Sequence, residues 1–156
     1  PTLNIGIGQL ITEIKKMTAV PVAVITNASL VGVAEVRHAL LETDLIIPSL
    51  DAVTSEVFLK VDRPKEGINI EEIINGLISL RKEFKGNIWL EVMLVKGIND
   101  DLAHIRKLKE IIDRVNPDKI QLNSPVRTTA EENILAVGRK RLEKFKEILG
   151  EKCEIV

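Results

Sequence analysis

The sequence contains a single cysteine, Cys153, in 156 residues. One cysteine excludes an internal disulfide, cannot form a metal site by itself and favours a reducing compartment. The two histidines, His38 and His104, have no partner at metal-ligand spacing, and we expect them at the surface or as helix caps. Gly6 and Gly8 form neither a phosphate loop nor a dinucleotide fingerprint, because no strand precedes them.

Long apolar runs and an excess of charge are also missing. No run approaches the ~20 residues that a membrane span needs, and no signal-peptide pattern opens the sequence. A net charge of −1 gives no overall basic field that would attract nucleic acid, which argues against tRNA binding by this segment. These absences predict a cytoplasmic protein with no membrane partner.

What is present is an ordinary globular composition, with 45% hydrophobic and 29% charged residues. The length suits one domain spanning residues 1–156 and is enough to bury a sizeable core. The sequence opens on Pro1 in a loop-like segment and stops on an apparent strand at residues 153–156. We therefore expect a fragment of a larger protein, a truncated enzyme core.

Hydrophobic spacing predicts an alternation of helices and strands. Strands are predicted at residues 21–27, 44–51, 87–95, 119–123 and 153–156, and helices at 5–18, 33–41, 53–59, 70–85 and 102–115, with a last helix that ends before Gly150. Such alternation indicates right-handed βαβ units and a parallel α/β sheet. Glu91, Gln121 and Asn123 occupy one parity of otherwise apolar strands, which favours the lumen of a partial barrel over a flat sheet covered by helices.

Polar residues follow the strands where ligands collect in parallel α/β proteins. Amides and hydroxyls there suit an amino-acid zwitterion or a ribose, whereas Lys96 and Arg127 suit a phosphate or carboxylate. The same residue types also dominate turns and caps, so each could be structural. Trp89 is predicted to pack in the core, and the charged run at 139–144 is predicted to be a solvated helix face.

Three segments resemble radical S-adenosylmethionine (radical SAM) enzymes such as the molybdenum-cofactor GTP cyclase: Thr26-Asn27, Ser49-Leu-Asp-Ala52 and Lys96-Gly-Ile-Asn-Asp100. The longer segments 89–100 and 121–127, with the opening Pro-Thr-Leu-Asn, are similar to the radical SAM Fe–S oxidoreductases grouped with wyosine-type tRNA-modifying enzymes. The resemblance covers nearly the whole chain, and it rests on the order and spacing of these segments together.

The resemblance implies the carboxyl-proximal part of a (β/α)6 partial TIM-like barrel with parallel strands. It implies an oxidoreductase that cleaves S-adenosylmethionine reductively with a [4Fe–4S] cluster, giving a 5′-deoxyadenosyl radical that abstracts hydrogen from a substrate. Together with the strand-exit argument, it indicates two sets of contacts. Cofactor contacts are expected at Thr26, Asn27, Ser49, Asp51, Asn123 and Ser124, and substrate contacts at Glu91, Lys96 and Arg127.

The sequence departs from the family in lacking the Cys-x3-Cys-x2-Cys cluster loop and the glycine–glutamate motif. We therefore expect the intact parent to be an enzyme with both cofactors, and this chain alone to bind no metal cluster and to be inactive. Two alternatives stay open: another (β/α)-barrel metabolic enzyme for a phosphorylated or amino-acid substrate, and a non-catalytic interaction domain. The substrate, a small molecule or an RNA base, is undetermined, and self-association through the exposed edge of the Thr26 strand is expected.

Overall fold

In the part of the chain that the structure describes, five parallel strands lie side by side in their order along the sequence. The computed structural model describes residues 1–125 and 134–156. The strands are β1 Ala23–Thr26, β2 Leu45–Pro48, β3 Asn87–Met93, β4 Lys119–Asn123 and β5 Cys153–Ile155. The helices are α1 Ile7–Met17, α2 Ala34–Ala39, α3 Ser55–Val61, α4 Ile70–Glu83, α5 Leu102–Val115 and α6 Arg139–Leu149. The predicted parallel α/β alternation is confirmed.

Apolar spacing and side-chain caps explain where the long helices form. In α5, Ile105, Leu108, Ile112 and Val115 recur on one face and are buried. Asp101 caps this helix, because its Oδ1 accepts hydrogen bonds from the backbone N–H groups of two first-turn residues. α4 begins in the same way after Asn69, the predicted cap, whose Oδ1 accepts from the N–H of Glu71 at 2.8 Å.

The two faces of the sheet differ as the parity of the sequence predicts. One face contributes only buried side chains in the central strands, including Ile88, Leu90, Val92, Ile120 and Leu122. The opposite parity, which we call the open face, is partly accessible in the central strands and carries Glu91, Gln121 and Asn123. Partial exposure of polar groups on one parity is what the lumen of a partial barrel requires.

Three local predictions were wrong, each for a physical reason. The third helix was predicted at 53–59 but spans Ser55–Val61. It begins at Ser55 because Thr54 caps it, accepting from the N–H of Val57. His104 is buried, with 5% of its surface exposed, because it lies in the first turn of α5 on the side that faces the core. Trp89 lies on the open face and not in the core, because it shares the parity of Glu91, and Lys119 Nζ lies 4.4 Å from its ring centroid.

Within residues 1–125 and 134–156, no helix is long and apolar enough to cross a membrane.

Candidate functional site

The first candidate residues lie at the end of β1. Thr26 is buried, its Oγ1 accepts from the N–H of Ala28 at 3.2 Å, and it lies 3.4 Å from the hydroxyl of Thr2. Asn27 is exposed, and its Oδ1 accepts from the N–H of Ser29 at 3.2 Å, so this bond does not use its amide NH2. The next residue, Ala28, has a φ of 59°, an uncommon backbone conformation for a residue with a side chain.

Two contacts hold the loop that follows β1 in place. The guanidinium of Arg37 donates to the carbonyls of Val31 and Gly32 at 3.0 and 2.9 Å, and it also pairs with Glu83 on α4. Gly76 of α4 lies so close to the loop that a Cβ there would stand 2.6 Å from the Val31 backbone. The position of the β1 exit is therefore set by a close contact between backbones as well as by its own turn.

Ser49 lies beside Thr26 at the end of β2. Its backbone N–H donates to the Thr26 carbonyl at 3.0 Å. Its backbone also pairs with that of Glu91 of β3 in an isolated parallel β-bridge. A cavity of about 260 Å³ opens here, lined by Thr2, Thr26, Asn27, Ser29 and Ser49 together with Pro1, Leu3 and Ile25. We call this space the strand-end cavity. The structure thus brings three of the predicted cofactor contacts, Thr26, Asn27 and Ser49, to one cavity.

Asp51 does not share that surface. Its carboxylate is buried and accepts from the N–H of Met93 at 2.7 Å, so it closes the end of β3. Burial raises the pKa of Asp51 to about 7; the bond from Met93 opposes this shift, and the charges of Asp62 and Glu91 add to it. Ser49 and Asp51, alike in sequence parity, therefore have different surroundings.

The segment 96–100 forms a turn that its own side chains hold in place by hydrogen bonds to the backbone. Asn99 is fully buried: its Nδ2 donates to the carbonyls of Asp51 and Met93, and its Oδ1 accepts from the N–H of Val95. Asp100 accepts from the N–H of Gly97 at 2.7 Å. These side chains join strand ends and have no free polar group for a ligand, whereas the predicted substrate contact Lys96 is exposed.

The two predicted cofactor contacts after β4 also differ from each other in how far the fold uses their polar groups. Asn123 donates from Nδ2 to Glu91 Oε1 at 2.8 Å, and its Oδ1 is buried without a partner in the described residues. Ser124 donates to the Leu94 carbonyl at 2.6 Å and accepts from the Val137 N–H at 2.8 Å, so its hydroxyl is fully used within the fold. The predicted substrate contact Arg127 lies outside the described residues.

Strand register adds residues that reasoning from sequence missed. Ser49 bridges Glu91, Glu91 is level with Gln121, and Gln121 is level with Glu154, so one polar row crosses four strands of the open face. Gln121 is visible in the sequence by its parity, but its alignment with Glu154 depends on pairing between strands. Thr2, on the wall of the strand-end cavity, lies in the opening segment that shares the family resemblance, whereas Ser29 carries no sequence signal beyond being small and polar.

A second space adjoins the strand-end cavity. It measures about 550 Å³ and shares Leu3, Asn27 and Ser29 with the first space. Its remaining walls come from the β1 exit and from α3, α4 and the connection between them: Leu30, Phe58, Asp62, Arg63, Pro64, Lys65, Glu66, Ile68 and Ile73. The two spaces together give a polar strand end beside a larger and more apolar volume, an arrangement that suits a cofactor and a substrate side by side.

The residues present do not suit a metal cluster. No group of three or more His, Cys, Asp or Glu side chains in residues 1–125 and 134–156 is placed to hold an ion. Cys153 is buried in β5, and burial raises the pKa of its thiol to about 11, which disfavours the thiolate that metal binding requires.

The chain is similar to several known proteins, although no protein-family profile matches it. It is 41% identical to a Brachyspira hyodysenteriae protein described as GTPase Obg, over 99% of this chain and 23% of that protein. It is 31% identical to a UPF0026 protein of Methanocaldococcus jannaschii, over 96% of this chain and 48% of that protein. A probable dual-specificity RNA methyltransferase RlmN of Thermotoga sp. (strain RQ2) is 37% identical over 84 residues, which are 53% of this chain and 23% of that protein. The chain thus spans less than half the length of each of these relatives.

Two solved structures share the fold. A domain of pyruvate-formate lyase-activating enzyme from Bacteroides vulgatus superposes with a TM-score of 0.78 at 16% identity, over 96% of this chain and 88% of that one. A radical SAM methyltransferase from Sphaerobacter thermophilus gives 0.66 at 19% identity, over 86% of this chain and 39% of that one. The chain therefore shares the fold of these two enzymes, which is the fold that the resemblance seen in the sequence implies.

Proposed function

We propose that this chain is the S-adenosylmethionine-holding part of the core of a radical SAM enzyme. The observation that carries the proposal is the meeting of Thr26, Asn27 and Ser49 on the strand-end cavity. That cavity lies at the carboxyl ends of β1 and β2, in a fold shared with radical SAM enzymes. Carboxyl strand ends are where parallel α/β folds bind their ligands.

The available side chains fit the chemistry of this cofactor. The hydroxyl of Ser49 both donates and accepts, as a ribose requires, and the NH2 of Asn27 remains to donate to a carboxylate. Glu91 is oriented by Asn123 and offers its carboxylate to a cationic group such as an ammonium or sulfonium. Lys96 and the wall of the 550-Å³ cavity are left for the substrate. Thr26 and Asp51 act through the backbone that they hold.

The iron–sulfur cluster does not fit the residues of this chain, since a [4Fe–4S] cluster is held by several cysteine thiolates and the sequence has one cysteine. In this proposal the ligands of the cluster come from another part of the whole protein, and the chain alone is inactive. Bound S-adenosylmethionine would supply the whole enzyme with a 5′-deoxyadenosyl group for abstraction of hydrogen from substrate. Similarity to RNA methyltransferases over 84 residues makes an RNA base the substrate class that we propose.

Isothermal titration of the 156-residue chain with S-adenosylmethionine tests this assignment. We expect measurable binding, and we expect Ser49→Ala to weaken it several-fold, because a hydrogen bond contributes about 0.5–1.5 kcal/mol. The matched control is Thr12→Ala, which also removes a hydroxyl but lies exposed on α1, away from the strand ends.

Equal affinity of wild type and Ser49→Ala, with both proteins folded by circular dichroism, would remove Ser49 from the site. The absence of any binding by the wild-type chain would overturn the proposal as a whole.

A further inference from the structure

Charge is distributed unevenly over this nearly neutral chain. α5 and α6 together carry nine Lys and Arg residues against four Asp and Glu, a net charge of +5, although the whole chain has a net charge of −1. The remaining residues are therefore net acidic. A surface that concentrates one sign of charge on an otherwise opposite molecule attracts a partner of the opposite sign at that place.

Several of these cations meet where α5 packs against α6. Arg141 at the start of α6 donates to the carbonyl of Asp100, which lies just before the N-cap of α5, so this side chain faces α5. Lys109 of α5 lines a cavity with Leu149 of α6, so it faces α6. At 100° per residue, Arg106 lies next to Lys109 on the outer side of α5, and Lys140 and Lys144 lie next to Arg141 on the outer side of α6. We call Arg106, Lys109, Lys140, Arg141 and Lys144 the basic ridge.

Acidic side chains neutralise only part of this ridge. Lys109 pairs with Asp113, and Arg141 pairs with Asp100. Arg106, Lys140 and Lys144 are exposed and have no ion pair within the described residues. Three uncompensated cations on two adjacent helices thus remain available to a partner.

The basic start of α6 works against the helix itself. The positive end of a helix dipole favours acidic side chains, and α2, α3 and α4 each have at least one in the first turn. α6 has none, as is also true of α1 and α5, but its N-cap Gly138 offers no side chain and its first three residues are Arg139, Lys140 and Arg141. If this face served only solubility, acidic residues would serve equally well and would not destabilise the helix. The stability of α6 therefore does not explain these cations.

We propose that the basic ridge binds the phosphate backbone of RNA. The cations are spread along two helices, with about 6 Å of helix between Lys140 and Lys144, so they match a row of charges better than a single small anion. The ridge carries no aromatic side chain at its surface, and backbone contacts without base reading are expected from it. A membrane surface fits poorly, because Leu102 is the one large exposed apolar residue on the described α5 and α6. The choice of RNA over DNA rests on the proposed function.

The test is fluorescence anisotropy of a labelled 20-nucleotide single-stranded RNA titrated with the 156-residue chain between 50 and 200 mM salt. We expect Lys140→Glu with Lys144→Glu to weaken binding at least tenfold at the lowest salt. The slope of log affinity against log salt should become shallower by about 1.4, because each phosphate contact on a single strand contributes about 0.7. The unfolding temperature should stay the same or rise, which a merely structural role would not produce.

The matched control is Lys16→Glu with Lys60→Glu, two exposed lysines on α1 and α3, which changes the net charge by the same amount. A loss of RNA affinity of less than twofold in this control supports RNA binding by the basic ridge. Equal losses of RNA affinity in both double variants, or no RNA binding by the wild-type chain, would overturn the proposal. Equal binding of DNA of the same sequence, or binding to vesicles containing phosphatidylserine that the ridge variant abolishes, would contradict the assignment to RNA. S-adenosylmethionine titration is independent of these outcomes, so the two proposals can fail separately.

Discussion

Ser49 and Ser124 show how residues of one type at similar places in the chain acquire different roles. Both follow a strand directly, and both are small and polar. The hydroxyl of Ser124 is used as donor to Leu94 and as acceptor from Val137, whereas Ser49 lines the strand-end cavity. Ser49 is therefore the better candidate for contact with a ligand, and Ser124 is a structural residue.

Asp51 and His104 form a buried titratable pair of neighbours beneath the site. Burial lowers the pKa of His104, and the charge of Asp101 and the carbonyl of Asp51 oppose that shift. The ring Nε2 of His104 is buried without a partner in the described residues. Neither group was expected to be buried from its position in the sequence, because burial depends on how α5 packs on the ends of β2 and β3.

The raised pKa of Asp51 predicts a pH dependence of stability. In the unfolded chain this carboxyl loses its proton near its ordinary pKa of 3.8, whereas in the folded chain it keeps the proton until about pH 7. Between these values the folded state binds more protons, so the contribution of Asp51 to stability is lost as pH rises. Asp51→Asn keeps an acceptor for Met93 and has no charge. We expect its stability advantage over wild type to be larger at pH 8 than at pH 5 by about 2–3 kcal/mol, because most of this pH window lies above pH 5.

Urea unfolding at both pH values measures this difference, with Glu110→Gln on the exposed side of α5 as the control. A variant that is equally less stable than wild type at both values would show that the Asp51 carboxylate is not held in a costly charged state.

Among the elements, α4 does more than cover the sheet, because it fixes the β1 exit that carries Thr26 and Asn27. The contact depends on the missing side chain at Gly76, where a Cβ would stand 2.6 Å from the Gly32 nitrogen and the Val31 carbonyl group. These are backbone atoms of a loop held by Arg37, so they cannot move aside by a change of rotamer.

We therefore predict that Gly76→Ala lowers the free energy of unfolding by about 1–3 kcal/mol, despite the higher helix propensity of alanine. The control is Asn75→Ala, one residue earlier on an exposed position of the same helix, which should be neutral or stabilising. Thermal unfolding of both variants gives the comparison. Equal unfolding temperatures for Gly76→Ala and wild type would mean that the loop yields without cost and does not fix the site.

The molecule as a whole presents an apolar edge. β1 is the outermost strand, paired only with β2 among the described strands, and Ile25 on its open face is 61% exposed. An unprotected apolar edge strand tends to pair with another chain. We predict concentration-dependent self-association of the isolated chain, measured by light scattering after size exclusion.

A lysine at the edge should prevent this pairing, so Ile25→Lys is expected to be monomeric where wild type is not. Leu59→Lys, at a residue 63% exposed on α3, makes the same change away from the edge and should leave association unchanged. A wild-type chain that stays monomeric at high concentration would count against the prediction.

The sequence alone determined the elements and their faces. The alternation of helices and strands, the cap at Asn69, the span of β4 and the polar parity of Glu91, Gln121 and Asn123 all follow from spacing within a few residues. Such spacing is local, and apolar burial at period 3.6 or 2 is enough to specify it. The Thr26, Asn27 and Ser49 group was likewise predictable, because carboxyl ends of neighbouring parallel strands meet at one edge.

Only the tertiary structure decided which polar groups are free. Asn99 bonds to the Asp51 carbonyl 48 residues away, Asp51 bonds to Met93 42 residues away, and Asn123 bonds to Glu91 32 residues away. The joining of two helices likewise decided that the lysines of α6 stand with Arg106 and Lys109 of α5. The partner of a buried N–H or C=O is chosen by whichever strand or helix packs beside it, and that neighbour is distant in the sequence.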